Sequence, residues 1–214
     1  MTNAVERKFS SMISKRNSDS YPVTKSKFYF FLILLIGFLL GVAVFHVSSN
    51  NSFSTNLSPV EKHLKYIFSL SDNFADRFID VIKLSELELC HVFFIFISGF
   101  TYFCFIASGA IIFAKGFMLG VSTSYLMLIS SPIHSINAIA FGLIFFLSKF
   151  IICIITTTLA SKTYIFSYDF RVIKQNCSIL RRASVTYKFV FLFIKALGGC
   201  LLLNFIYCAL IKLL

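Results

Sequence analysis

The chain has 214 residues, of which 57% are hydrophobic and only 14% are charged, and its formal net charge is +11 at pH 7. Because soluble domains carry about a quarter charged residues, this composition indicates an integral membrane protein. The basic residues lie in two hydrophilic segments beside apolar runs rather than along one stripe. That distribution argues against a nucleic-acid partner and is typical of proteins oriented in a membrane.

Apolar runs predict an all-α fold, a polytopic membrane helix bundle with about five transmembrane helices. A helical span needs about 20 mainly apolar residues to cross the hydrocarbon core, since lipid offers the backbone no hydrogen-bonding partner. Three spans stand apart as separate windows, at residues 28–47, 136–160 and 189–211. A basic tail, residues 1–27, precedes the first span, and a basic loop, residues 161–188, separates the last two.

The apolar run at residues 89–131 is too long for one span and suits two. Lys115 is the only Asp, Glu, Lys or Arg between residues 89 and 148. A charge at the centre of the bilayer is costly, whereas the same charge in an interfacial turn costs little. We therefore expect a hairpin at Lys115 and Gly116, joining a second span at 92–114 to a third at 116–131, and a tight turn at Pro132.

The distribution of charge predicts which side of the cell membrane each segment faces. Lys and Arg dominate the N-terminal tail and the basic loop, whereas residues 48–88 carry six acids and four bases. Because cytoplasmic segments are enriched in Lys and Arg, we expect the N-terminus, the Lys115 turn and the basic loop to be cytoplasmic. The 48–88 loop, the Pro132 turn and the C-terminus are then extracytoplasmic.

The extracytoplasmic loop is predicted to be partly helical. Residues 58–61 (SPVE) form a capping box with proline at the first helical position, and apolar residues then recur near helical spacing. One or two amphipathic helices are expected, and the favoured interpretation is that they rest against the spans or the lipid surface. The alternative is that their outer face docks a partner domain, with three acids as candidate contacts: Asp72, Asp76 and Asp80.

The sequence lacks the common motifs of catalysis. It contains no Gly-rich phosphate loop, no Cys-x-x-Cys pair, no His-Glu-x-x-His and no Gly-x-Ser-x-Gly. We therefore expect a protein that is not an enzyme and uses no cofactor. Four histidines map to the outer side, but none has ligand spacing to another, so interfacial residues are favoured over a metal site or a pH sensor: His46, His63, His91 and His134.

Two lysines inside predicted spans are candidates for functional charges. Lys195 lies about two turns from the cytoplasmic start of its span, where its stem reaches the headgroups. Lys149 lies nearer the middle of the bilayer, and no predicted span offers it an acid. Three explanations stay open for Lys149: a helix shifted along its axis, a water-filled cavity, or an acid of a partner subunit. The first is favoured.

Small residues supply a helix-packing signal. Gly37 and Gly41 in the first span, and Gly116 and Gly120 in the third, have the Gly-x-x-x-Gly spacing that lets two helix backbones approach closely. Packing within one bundle is favoured over a dimer interface, which leaves a homo-oligomer open.

The order of these features resembles the stage II sporulation protein M family. The resemblance rests on GFLLG (37–41) in the first span, an outer loop of about forty residues, FAKGFMLG (113–120) and the following proline turn. Within it, Lys115, Gly116 and Gly120 are similar to the family's basic-Gly-x-x-x-Gly pattern. The segment at 131–137 has one proline where the family often has two.

This resemblance implies a non-catalytic scaffold or anchor in the cell membrane for extracytoplasmic peptidoglycan-remodelling partners, among them cell-wall hydrolases, as in engulfment during endospore formation. The competing hypothesis is a small membrane transport or permease subunit that uses Lys149 and Lys195 along its path.

Overall fold

The computed structural model describes residues 21–50, 74–130, 136–176 and 179–211. These residues form five α-helices and no strand, which confirms the predicted all-α class for the described part of the chain. In chain order the helices are α1 (Tyr21–Asn50), α2 (Phe74–Ser98), α3 (Cys104–Ser130), α4 (Ile136–Asn176) and α5 (Ile179–Ile211).

Four of the helices are long and apolar enough to cross a membrane: residues Lys25–Val47 of α1, Cys104–Met127 of α3, Gly142–Arg171 of α4 and Ala183–Leu210 of α5. Their outward faces expose many large apolar side chains, as expected where lipid is the solvent. The protein is therefore a multi-pass membrane protein. α2 is not among these four, because its first half carries several charged residues.

Contacts between helix ends set the direction of each helix. Ser26 at the start of α1 shares a hydrogen bond of 2.8 Å with Ser161 of α4. Ser167 of α4 donates a hydrogen bond of 3.0 Å to the carbonyl of Thr101, in the turn between α2 and α3. At the opposite end, Phe145 of α4 packs on Tyr207 of α5. Successive helices therefore run in alternating directions, and we call the end that holds the α2–α3 turn the turn end.

The turn end is packed with aromatic side chains. Phe189 of α5 stacks on Phe166 of α4, with ring centroids 3.9 Å apart, and also on Phe96 of α2. Phe100, in the turn itself, meets Phe166 and Phe189 edge-on. The α2–α3 turn is therefore packed between α4 and α5.

The predicted hairpin at Lys115 is wrong. α3 runs without a break from Cys104 to Ser130, and Lys115 lies in its middle with only 7% of its surface exposed. The chain reverses instead at residues 99–103, where the Gly99 amide bonds the Phe96 carbonyl and the Thr101 hydroxyl caps the carbonyl of Ser98. The charge criterion failed because it treats the helix as isolated in lipid, whereas Lys115 is buried against the other helices of the bundle.

Several predicted boundaries move with that correction. The second and third spans do not end and begin around residue 115, because α2 ends at Ser98 and α3 begins at Cys104. Residues 74–88, assigned to the outer loop, are the first part of α2, and most of the predicted basic loop at 161–188 is helical. Pro132, Asp72 and the capping box at 58–61 lie outside the described residues, as do the side chains of Asp76 and Asp80 at the start of α2.

Candidate functional site

Polar side chains from three helices meet in the interior of the bundle. Lys149 of α4 donates a hydrogen bond to Glu88 Oε1 of α2, and the two side chains are 13% and 12% exposed. Asn204 of α5 donates to Glu88 Oε2 at 3.1 Å and to Ser85 Oγ at 2.9 Å. Its own Oδ1 accepts from Lys149 Nζ at 3.4 Å. Both carboxylate oxygens of Glu88 are therefore engaged.

Lys115 adds a second ammonium group to this set from α3. The hydroxyls of Ser98 on α2 and Ser108 on α3 are 3.0 Å apart, and counting seven residues from each along the antiparallel helices puts Lys115 within about one turn of the level of Glu88. Among the residues that the structure describes, none forms a hydrogen bond or an ion pair with Lys115. The interior of the bundle thus holds two lysines and one carboxylate at neighbouring levels.

His91 follows Glu88 by one turn on α2 and is half-buried. Its Nδ1 atom is buried and has no hydrogen-bond partner in the described part of the chain. We refer to these side chains together as the charged cluster: Ser85, Glu88, His91, Lys115, Lys149 and Asn204.

The charged cluster lies well away from the turn end of the bundle. Lys149 precedes Ser161, which bonds to the start of the α1 span, by about 18 Å along the helix axis at 1.5 Å per residue. Since the hydrocarbon core is roughly 30 Å thick, the Lys149 backbone lies near mid-bilayer depth. At that depth isolated ions are unstable, so pairing with Glu88 is the expected state of Lys149.

The acid that meets Lys149 belongs to its own chain. None of the three explanations for Lys149 included this outcome, because Glu88 was assigned to the outer loop rather than to a helix inside the bundle. A pattern in the sequence does mark it: Val81, Ser85, Glu88, Val92 and Ile95 recur at three- and four-residue spacing along one face of α2. Neither Ser85 nor Asn204 was a candidate from sequence.

Lys195 lies outside the charged cluster. Its side chain is exposed on the surface of α5, and its Nζ atom lies 4.5 Å from the centre of the Phe191 ring. A cation over an aromatic face is a favourable surface arrangement. Of the two candidate lysines, the structure therefore brings only Lys149 to the interior site.

The four candidate glycines meet across one helix pair. A methyl group on Gly37 or Gly41 of α1 would overlap the backbone carbonyl of Phe113 or Phe117, respectively. One on Gly116 or Gly120 of α3 would overlap the carbonyl of Leu34 or Phe38, respectively. α1 and α3 share the most extensive helix contact in the bundle. The glycine motifs therefore face each other within one chain.

This close approach helps to orient Lys115. Because Gly116 faces α1, the preceding residue, Lys115, lies on another face of α3, where it is buried. Among the described residues no group of three or more His, Cys, Asp or Glu side chains is arranged to hold a metal ion. His63 and His134 lie outside the described residues.

Comparison with protein-family models, with curated proteins and with solved structures finds no match for this chain.

Proposed function

We propose that the protein is a non-catalytic membrane scaffold that crosses the membrane five times and anchors extracytoplasmic partners. α2 is the fifth crossing in this proposal. The N-terminus and the turn end are cytoplasmic, and the C-terminus is extracytoplasmic.

The observation that carries the proposal is the continuity of α2. This helix is uninterrupted from Phe74 to Ser98. Glu88, in its second half, forms hydrogen bonds with Lys149 and Asn204 inside the bundle. Force or movement on the first turns of α2 is therefore transmitted to the membrane helices. A scaffold needs such a rigid connection between the surface that binds a partner and the part that is held in lipid.

The distribution of charge supports the proposed orientation. Basic residues gather at the turn end, where Lys25 and Lys162 flank the bonded pair Ser26 and Ser161 and where Arg171 lies over the Tyr102 ring at 5.1 Å. Acids are concentrated before and along the first part of α2. The positive-inside rule assigns the basic end to the cytoplasm.

The class of partner comes from the family resemblance. Proteins similar to the stage II sporulation protein M family would hold cell-wall hydrolases at the outer face of the membrane during engulfment. The acids Asp72, Asp76 and Asp80 are the proposed contacts, because they precede or begin the helix that is anchored in the bundle.

Crosslinking in native membranes, followed by identification of the captured proteins, tests this function. The full chain should capture cell-wall hydrolases, and the triple variant D72N/D76N/D80N should lose most of that capture. The matched control is K195L, which removes an exposed charge far from the three acids in the sequence. It should capture as much hydrolase as the unmodified chain does. Capture of an ATP-hydrolysing subunit in place of hydrolases would overturn the scaffold.

One observation favours a transport subunit as the second candidate. Intramembrane charges mark many ion and substrate paths, and Lys115 is a buried lysine with no described partner at hydrogen-bond distance. A transport path through the charged cluster predicts that K115M abolishes uptake by the assembled complex. A scaffold with K115M keeps its partners and its activity, provided that the variant folds.

A further inference from the structure

The charged cluster contains an imbalance of charge. Its one carboxylate, Glu88, accepts from Lys149 through Oε1 and from Asn204 through Oε2. The ion pair with Lys149 is thus complete and additionally hydrogen-bonded. The ammonium group of Lys115 is left as a net positive charge in the interior of the bundle.

The surroundings of Lys115 offer it little compensation. The residues one turn before and after it, Ile112 and Leu119, belong to the hydrophobic core. A buried ammonium group without a counter-charge is strongly unfavourable, so such a group is either neutralised or paired with an anion.

A second unsatisfied group lies beside Lys115. The buried Nδ1 atom of His91 has no partner among the described residues. Near the α2–α3 turn, the hydroxyls of Ser98 and Ser108 are 3.0 Å apart. His91 precedes Ser98 by seven residues and Lys115 follows Ser108 by seven, so on the antiparallel helices α2 and α3 the two residues lie at the same level, about two turns from that contact. Unpaired buried polar atoms in native proteins usually mark a bound water or ion. At the level of His91 the neighbouring helix carries Lys115, which is 7% exposed, and a cation beside a ring nitrogen that can donate favours an anion over a water molecule.

We propose that Lys115 and His91 bind one small monovalent inorganic anion, of the chloride class, between α2 and α3. The Lys115 ammonium supplies the charge, and the His91 Nδ1–H donates a hydrogen bond. The excess of one positive charge sets the valence of the anion, and the burial of Lys115, which is only 7% exposed, limits its size. This site is independent of the scaffold function, because it requires no protein partner.

Thermal unfolding of the purified full-length protein in detergent is the first test. The unfolding midpoint is measured in sodium chloride and in sodium gluconate at equal ionic strength, since gluconate is too large for the site. Chloride should raise the midpoint in a saturable way. K115M should lose that dependence, whereas K195M, which removes an exposed charge, should keep it.

Direct binding keeps the proposal testable if K115M does not fold. Equilibrium binding of radiolabelled chloride to the unmodified protein should saturate at one ion per chain, and H91N should weaken binding several-fold. Absence of saturable binding, or equal midpoints in chloride and gluconate, would overturn the site and would mean that Lys115 is neutral or paired within the protein. An equal chloride dependence in K115M would also overturn it, as a general salt effect. None of these outcomes bears on hydrolase capture.

Discussion

Gly116 of α3 lies directly against the backbone carbonyl of Leu34 on α1, with no room for a side chain between them. The two helices meet through their backbones over four glycines, two from each helix. In lipid, where apolar side chains gain nothing by leaving the solvent, dispersion contacts between closely spaced backbones drive association. Weak Cα–H···O contacts add to them.

The first prediction concerns this backbone contact. G116A should lower the free energy of unfolding by about 1–3 kcal/mol, the usual cost of overfilling a packed interface. G198A is the matched control, since no atom lies within 4 Å of the added methyl at that helical position. Reversible unfolding in mixed micelles measures both. An effect of G198A as large as that of G116A would contradict the argument.

The second prediction concerns the ion pair of Glu88 and Lys149. E88Q or K149M alone should destabilise the protein by about 3–5 kcal/mol, because each leaves a buried charge without its partner. The double variant E88Q/K149M should lose less than the sum of the two, with a coupling energy of at least about 0.5 kcal/mol. A double-mutant cycle by reversible unfolding provides the measurement. Strict additivity would show that the two side chains do not interact.

Asn204 is the subject of the third prediction. It donates to both Glu88 and Ser85, so N204L should leave Ser85 and one carboxylate oxygen with fewer partners. The expected loss is about 1–3 kcal/mol of unfolding free energy. L202A, on the exposed face of the same helix, is the control and should have a much smaller effect. Similar losses of unfolding free energy for the two variants would show that the hydrogen bonds of Asn204 contribute no special stability.

The fourth prediction tests the position of the α2–α3 turn. Native cysteines are first replaced by serine, at positions 90, 104, 153, 177, 200 and 208. Y102C should then react with a membrane-impermeant maleimide, since Tyr102 is highly exposed in the turn, and in the proposed orientation it should react from the cytoplasmic side. K115C should react only after denaturation. Faster labelling of K115C than of Y102C would instead support a hairpin at residue 115.

The sequence predicted the membrane class and the all-α fold because both depend on composition and on long apolar windows, which need no tertiary information. The position of the turn predicted from the sequence was wrong, because the rule that excludes a lysine from the middle of a transmembrane helix treats each helix as isolated in lipid. It also missed Glu88 as the partner of Lys149. The two residues are far apart in the chain, and Glu88 stands at the charged border of an apolar run.

By itself, the sequence determined that this chain is helical, belongs in a membrane and carries two glycine motifs. The tertiary structure decided that the two motifs face each other, that Lys115 is buried within a helix, and that Glu88 meets Lys149. The reason is physical: hydropathy is a local property of the chain, whereas the stability of a buried charge depends on which groups the other helices bring beside it.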